Sequence, residues 1–266
     1  MATIAEQLTS LANTKTAIKQ AIIDKGVSVA DDTPFSGYAT KIGEIQGCSS
    51  TKFGASIDTF FGDVVDGVLQ NTTAQTALNF AGITEIGNNA LQYTFYGNPS
   101  IISVDFGSLQ TVRNSGLSST FYSCLNLTSV DLSSLQSVDS TGLQNAFRGC
   151  SNITGALDLS SLQSVGFSGL NYAFSNCAML TSVDLSSLTT VGAGGLKYAF
   201  GSCKGLTTIS FPSLTSVQTN SFDNTFNSCT NLTEIHFRAD MQATIEAMTG
   251  YDKKWGATNA TIYFDL

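Results

Sequence analysis

The segment LTSVDLSSLQSVDSTGLQNAFRGC, residues 127–150, returns as LTSVDLSSLTTVGAGGLKYAFGSC at residues 180–203. The same frame recurs in four further units, and its phenylalanines follow one another at intervals of 26, 26, 27, 26 and 26 residues. These phenylalanines are Phe95, Phe121, Phe147, Phe174, Phe200 and Phe226. A fixed period of this length predicts stacked coils, because a single unit cannot bury its own apolar side chains.

The spacing of apolar residues divides each unit into three parts. In the unit beginning at residue 128 they are Val130, Leu132, Leu135, Val138, Leu143, Ala146 and Phe147. The first two alternate with polar neighbours and predict a strand, the next two predict a second extended piece, and the last three predict one helical turn. We therefore predict an α/β solenoid of six coils, each a strand, bend, strand and helical turn, between an N-terminal helical segment and a C-terminal cap.

Cysteine occupies one position of the repeat, three residues after the phenylalanine. It is found there as Cys124, Cys150, Cys177, Cys203 and Cys229, and Asn98 replaces it in the first unit. Recurrence at a single packing position predicts buried free thiols, since a disulfide framework shows paired spacings in a short chain. Gly155 is the extra residue of the 27-residue interval and predicts a local bulge.

The pattern Leu-x-x-x-Phe-x-x-Cys, followed by Leu-Thr-Ser-Val-Asp-Leu-Ser-Ser-Leu in residues 127–135, resembles the BspA-type leucine-rich repeat. The resemblance covers residues 80–264 and implies a leucine-rich-repeat solenoid. Members of that family are surface or adhesion modules, so the resemblance implies binding and supplies no catalytic residue.

The composition argues against two classes of partner. Only 12% of the residues are charged, the formal net charge is −8, and the chain has twelve Lys plus Arg. No basic stripe is therefore available for the phosphates of nucleic acid or of an anionic membrane. No stretch approaches the roughly 20 apolar residues that a membrane-spanning helix needs, so we expect no membrane insertion.

Residues 1–47 predict a helical segment for anchoring or oligomerisation. A seam of apolar residues in the first helix, interrupted by Lys15, and two aromatic residues in the second supply its contacts. They are Ile4, Leu8, Leu11, Ile18, Ile22, Phe35 and Tyr38. Self-association, with a trimer favoured, and packing of the first helix on the second are both open alternatives. We predict a linker and N-terminal cap at 48–80, the solenoid at 81–237 and a C-terminal cap at 238–266.

Residues 14–22 and 33–42 are similar to leaders on tail and head fibre proteins of bacterial viruses. The similarity implies a virion component that is assembled in the host cytoplasm and exposed on lysis. The first residues lack the basic and apolar regions of a secretion signal, which agrees with that route. The implied partners are other virion proteins and a glycan or protein of the host surface.

A row of aspartates marks the first strand of four units, and Ser210 and His236 continue it. The row consists of Asp105, Asp131, Asp158 and Asp184. On stacked parallel strands these carboxylates face outward about 5 Å apart and repel one another. The row is either a site for a divalent cation or sugar hydroxyls, or a hydrated stripe that prevents aggregation.

Two variable positions flank the repeated phenylalanine. The position after it and the position two before it carry aromatic and basic residues in several units: Tyr96, Tyr122, Arg148, Tyr172 and Tyr198. Tyr and Arg dominate the energetics of interfaces, so these residues predict a binding patch. The alternative is that turns vary because little constrains them.

The sequence lacks the residue pattern of a catalytic site. His236 is the one histidine, and a hydrolase needs a nucleophile, a base and an orienting group together. The cysteines lie a full repeat apart, which does not fit the ligand spacing of zinc. We expect no enzyme activity, no cofactor and no metal. The hypotheses are a virion fibre, a cellular leucine-rich-repeat interaction protein and, third, an esterase or glycosidase acting on surface glycan, whose histidine-based version would depend on His236.

Overall fold

The computed structural model describes residues 18–20, 52–53, 76–80 and 82–266. The chain divides into two compact units, Met1–Phe53 and Gly54–Leu266. In the first unit residues 18–20 are helical with Ile18 half-buried, and Lys52–Phe53 form strand β1. The remaining residues of the predicted anchor lie outside the described part of the chain: Ile4, Leu8, Leu11, Ile22, Phe35 and Tyr38. The oligomerisation segment and the domain boundaries stay predictions.

The second unit is a solenoid whose coils begin with parallel strands. These strands are β2 (Thr76–Asn79), β4 (Ile101–Asp105), β6 (Ser129–Asp131), β8 (Gly155–Asp158), β10 (Leu180–Asp184), β12 (Thr208–Phe211), β14 (Glu234–Phe237) and β15 (Thr261–Phe264). They form three sheets in the orders β2-β4-β6, β8-β10 and β12-β14-β15. The register of β8 against β10 shifts between Leu180 and Ser182, so the extra residue of this irregularity belongs to β10; Gly155, where a bulge was predicted, is the β8 residue opposite Leu180 and has a φ of 79°.

A second parallel sheet lines the next side of the coils. Its strands in this unit are β3 (Glu85–Ile86), β5 (Thr111–Val112), β7 (Ser137–Val138), β9 (Ser164–Val165), β11 (Thr190–Val191) and β13 (Ser216–Val217), paired in chain order. Five of the six second residues are buried in the core, because a two-residue strand points one side chain inward and one outward.

The third side of each coil is a series of turns, and the helical turn predicted there is wrong. Alternate N–H groups donate to the next coil, as Phe121 does to the carbonyl of Ala146 at 2.8 Å. The groups between them donate three residues back, as Thr120 does to Leu117 at 3.2 Å. Every fourth residue is left-handed, which no α-helix tolerates. The middle left-handed residue of each coil is Tyr93, Ser119, Asn145, Tyr172, Tyr198 or Asn224. The Leu-x-x-x-Phe spacing fits this four-residue turn period as well as it fits a helix.

The core contains one continuous column of stacked phenylalanines from Phe95 to Phe226. Neighbouring ring centroids are 5.3 to 6.4 Å apart, and the planes are inclined by 12° or less. Beside the column the cysteines are buried and free, as predicted. Each thiol donates to a phenylalanine carbonyl of the preceding coil, as Cys124 does to Phe95 at 3.0 Å. Burial raises the pKa of Cys124 to about 12 and that of Cys229 to about 11.

The C-terminal segment continues the stack beyond the six predicted coils. It contains a 3₁₀ turn at Ala239–Met241, helix α1 (Gln242–Glu246), a 3₁₀ segment at Tyr251–Gly256 and β15. The α-helical part of the predicted C-terminal cap is therefore confined to five residues. The carbonyl of Trp255 accepts the N–H of Phe226 at 3.1 Å, as a residue of a further coil does, so the solenoid has about seven turns. Among the described residues no helix is long and apolar enough to cross a membrane.

Candidate functional site

The five residues of the predicted binding patch lie in one continuous stack, here called the Tyr–Arg column: Tyr96, Tyr122, Arg148, Tyr172 and Tyr198. The rings of Tyr96 and Tyr122 are 4.7 Å apart and inclined by 2°. Those of Tyr172 and Tyr198 are 4.6 Å apart and inclined by 4°. The guanidinium carbon of Arg148 lies 5.6 Å from the ring of Tyr122 and 4.6 Å from that of Tyr172. Arg148 therefore joins two tyrosine pairs through cation–π contacts.

The column changes its position in the repeat halfway along. Tyr96, Tyr122 and Arg148 follow the core phenylalanine, whereas Tyr172 and Tyr198 lie two residues before it. In the later two coils Ser175 and Gly201 occupy the position after phenylalanine, so no large side chain is available there. The long side chain of Arg148 spans the offset between the two positions. A single repeat position therefore does not define the surface.

Stacking leaves the edges of the inner rings available to a ligand. Tyr122 and Tyr172 each have a tyrosine ring on one face and the Arg148 guanidinium on the other, so their edges and hydroxyls remain available. Tyr96 at the end of the column is 44% exposed, and Tyr93 lies 6.3 Å from it and is 55% exposed. Tyr122, Tyr172 and Tyr198 are half-buried. Among the described residues the hydroxyls of the column have no hydrogen-bond partner, which leaves them available to a ligand.

Two residues of the column adopt a backbone conformation that tyrosine rarely takes. Tyr172 has a φ of 56° and Tyr198 one of 51°. The left-handed region costs roughly 1–2 kcal/mol for a residue with a Cβ atom, and asparagine tolerates it best among non-glycine residues. Asn145 and Asn224 fill the same position in two other coils. The tyrosines are therefore placed there against the local preference of the backbone.

Arg148 is the one arginine of the chain without a carboxylate partner in the described part of the structure. Arg113 forms ion pairs with Glu85 at 3.0 Å and Asp139 at 3.3 Å, and the hydrogen bonds that it donates to these carboxylates raise its pKa. Arg238 pairs with Asp240 in the same way. The side chain of Arg148 donates only a long hydrogen bond of 3.4 Å to the amide oxygen of Asn145. Its charge is therefore uncompensated on the surface.

The aspartate row is divided between two sheets, and each of its carboxylates accepts a hydrogen bond within the turn that follows its strand. Asp105 pairs in register with Asp131, and Asp158 with Asp184, but the two pairs belong to different sheets. In all four coils Oδ1 accepts the backbone N–H two residues later, at 2.8 to 3.0 Å. Hydrogen bonding by the Ser160 side chain, and next by its backbone N–H, lowers the pKa of Asp158. The bonds give each aspartate a structural role at the end of its strand.

His236 lies in an ionic cluster at the C-terminal end of the solenoid. Its Nδ1 is 2.9 Å from a carboxylate oxygen of Asp265, and its Nε2 is 3.6 Å from one of Glu234. Its ring stacks on Tyr263 with a centroid distance of 4.9 Å. Within the described residues His236 has no hydrogen bond to a serine, and no cluster of His, Cys, Asp and Glu fits a metal ion.

The sequence-based patch omitted two residues that border the column. Tyr93 contacts Tyr96 at its end. The pKa of Lys197 is raised mainly by its hydrogen bond to Asp223, and to a smaller extent by its electrostatic interaction with the nearby Tyr172 and Tyr198. Tyr93 shares a repeat position with Tyr172, so that position could have identified it. Lys197 had no such signal, because its nearness to the column depends on how the coils stack.

Comparison with known proteins identifies a family and several solved structures, two of which are described here. Residues 64–193 and 144–248 match the model of the BspA type leucine rich repeat region, which is present in 6 copies. A leucine-rich repeat protein of T. pallidum is 21% identical over 60% of this chain and 69% of its own, with a TM-score of 0.41. A leucine-rich cell surface protein from Faecalibacterium prausnitzii A2-165 is 14% identical over 70% of this chain and 59% of its own, with a TM-score of 0.36. No curated protein sequence matches this chain.

Proposed function

The chain belongs to the BspA-type leucine-rich repeat family, and from this we propose that it is a non-enzymatic recognition module whose Tyr–Arg column binds a protein partner. Repeat proteins of this kind are typically binding modules with extended surfaces. The proposal corresponds to the interaction protein among the sequence hypotheses. The observation that supports it best is the uninterrupted stack from Tyr96 to Tyr198.

Residue type and rigidity both favour a binding role for the column. Tyrosine and arginine are the residues most enriched among binding hot spots. Mutual stacking holds their side chains in place before a partner arrives, which reduces the conformational entropy lost on binding. Every coil has a left-handed residue at the position of Tyr172 and Tyr198, and tyrosine occupies it in these two coils although asparagine is better tolerated there.

The covered ring faces favour a protein partner over a glycan. A sugar packs its apolar face on the open face of an aromatic ring, and the inner rings of the column have no open face. Ring edges, hydroxyls and a guanidinium suit the mixed polar and apolar surface of a protein. We place the module at a cell or particle surface, in keeping with the surface role of its family.

A display selection with random peptides tests this function. The bait is the full chain, compared with a column variant carrying Tyr122→Ser, Arg148→Ser, Tyr172→Asn and Tyr198→Asn. Each replacement occurs at the equivalent position of another coil: Ser175, Asn145 or Asn224. A matched control carries Asp131→Ser and Asp184→Ser, the residue that Ser210 supplies in the aspartate row.

We expect peptides that bind the wild type and the aspartate control but not the column variant. Failure to enrich any peptide above an empty surface would contradict the proposal. Equal binding of the enriched peptides by the column variant would contradict it as well, because the binding site would then lie elsewhere.

The virion fibre is a second candidate function and depends on the leader. The similarity to viral fibre leaders concerns residues 14–22 and 33–42, of which the structure describes 18–20, and the family match begins at residue 64. Light scattering of the full chain and of a truncation starting at Lys52 tests it. We expect a trimer that becomes a monomer on truncation. A monomer in both cases, or absence of the protein from purified virus particles by mass spectrometry, would overturn it.

A further inference from the structure

We infer that the partner of the Tyr–Arg column is an acidic peptide segment, one carboxylate of which pairs with the guanidinium of Arg148. The inference rests on the proposed function and specifies the ligand of the same surface. It follows from the charge of Arg148, the charge of the surrounding side of the solenoid and the groups that border the guanidinium.

The guanidinium of Arg148 is positioned and still available. Its planar group lies between the rings of Tyr122 and Tyr172, which restricts its orientation. Arginine recognises carboxylates through two parallel N–H donors. Arg148 donates only one long hydrogen bond, to Asn145, so its other N–H groups can bind a carboxylate. The other two arginines already bind carboxylates of this chain. Arg148 is the guanidinium that is free for a carboxylate from outside.

The side of the solenoid that carries the column differs in charge from the rest of the chain. It comprises residues 88–98, 114–124, 140–150, 167–177, 193–203 and 219–229, and its charged residues are Arg148, Lys197 and Asp223. Two cations and one carboxylate give this side a formal charge of +1, whereas the whole chain carries −8. Lys197 and Asp223 pair at 2.8 Å, so the uncompensated charge is that of Arg148. The aspartates of the first strands lie on a different side of each coil.

The neighbours of Arg148 reinforce a preference for anions. The edge of an aromatic ring carries positive potential, and its face carries negative potential. The stacked tyrosines present edges outward and bring hydroxyl donors that are not used within the described structure. A basic segment would meet ring edges and a guanidinium of the same sign. An acidic segment meets donors along the length of the column.

Fluorescence anisotropy of the full chain tests the inference with two labelled synthetic peptides. One peptide alternates Glu with Thr, and the other alternates Gln with Thr. We expect the Glu peptide to bind about tenfold or more tightly than the Gln peptide. Arg148→Gln should remove this difference. Arg113→Gln, which removes the same charge from a guanidinium already paired, should keep it. Raising NaCl from about 50 mM to about 500 mM should weaken the binding of the Glu peptide more than the binding of the Gln peptide.

Three results of this binding experiment would overturn the inference, and a fourth could come from the peptide selection. The first is equal or tighter binding of the Gln peptide. The second is an unchanged preference in the Arg148→Gln protein, which would place the acidic segment elsewhere. The third is tighter binding of oligogalacturonate than of the Glu peptide, which would identify an acidic glycan as the ligand. Selection of neutral or basic peptides that still require the column would refute the acidic ligand and leave the proposed function intact.

Discussion

Two columns of side chains run along the same side of the solenoid, one inside and one outside. The inner column consists of six phenylalanines at a single repeat position, all buried and stacked. The outer column consists of four tyrosines and one arginine, which change repeat position between Arg148 and Tyr172. The inner column is regular because every coil must fill the same core. The outer column is irregular although the backbone beneath it repeats.

The difference separates what stabilises the fold from what recognises a partner. A core position tolerates little change, because cavities and overpacking both cost stability. A surface position on the same coil has no such constraint, and at each of the two positions three of the six coils use Ser, Asn or Gly. Large side chains that form a continuous stack at these positions therefore need a reason other than packing.

Removal of one inner ring should have the largest effect. Phe147→Ala leaves a cavity between the rings of Phe121 and Phe174, which lie 5.3 Å to either side. We expect a loss of about 3–5 kcal/mol in the free energy of unfolding, measured with denaturant. Arg148→Ala, one residue later and on the surface, is the matched control and should cost less than about 1 kcal/mol. Similar losses in the two variants would remove the distinction between the columns.

The buried thiols beside the inner column predict alkaline sensitivity. Burial raises the pKa of Cys124 from 9.0 to about 12, so the unfolded thiol ionises above pH 9 while the folded one keeps its proton. The stabilising contribution is complete below pH 9 and is lost as the pH rises toward 12. Each such thiol lowers the free energy of unfolding by about 1.4 kcal/mol per pH unit in this range.

Comparison with Cys124→Ala isolates this effect, because tyrosines and lysines titrate in both proteins. Between pH 9 and pH 11 the wild type should lose stability more steeply than the variant, by about 1.4 kcal/mol per pH unit. Parallel curves would show that the thiol of Cys124 is not held protonated in the core.

The smallest expected effect concerns the outer column. Tyr172→Asn removes a bulky residue from a left-handed position, where asparagine is better accommodated, and also removes the stacking on Tyr198. The two changes oppose each other, so we expect the free energy of unfolding to stay the same or to rise by up to about 1 kcal/mol, measured by thermal or denaturant unfolding. Tyr172→Ala is the control and should be less stable than Tyr172→Asn. A loss of several kcal/mol with asparagine would make Tyr172 a structural residue.

The regular part of the molecule is predictable from its sequence, and the reason is visible in Phe147 and Cys150. Both occupy positions that recur in nearly every unit, so the period alone predicts a stacked core. The third side of the coil was misjudged, because Leu143 and Phe147 are four residues apart in both a helix and a chain of turns. The left-handed backbone at Asn145 separates the two, and only the structure shows it.

The candidate site was predictable as a set of residues but not as an arrangement. The variable positions identified Tyr122, Arg148 and Tyr172 from sequence. These residues form one stack because the side chain of Arg148 extends to Tyr172 in the next coil, and the sequence does not show this contact. For the aspartate row the sequence showed the arrangement but not the role of the side chains. Its repetition suggested a binding face, whereas hydrogen bonds from residues such as Ser160 give it a local role in turns.

The most direct test measures stability and binding on the same two proteins, the wild type and the fourfold column variant. We predict that the free energy of unfolding of the variant stays within about 1 kcal/mol of the wild type. We predict in addition that peptides selected on the wild type no longer bind the variant. A variant that loses several kcal/mol, or one that keeps the peptides, would contradict the division between an inner column for the fold and an outer column for recognition.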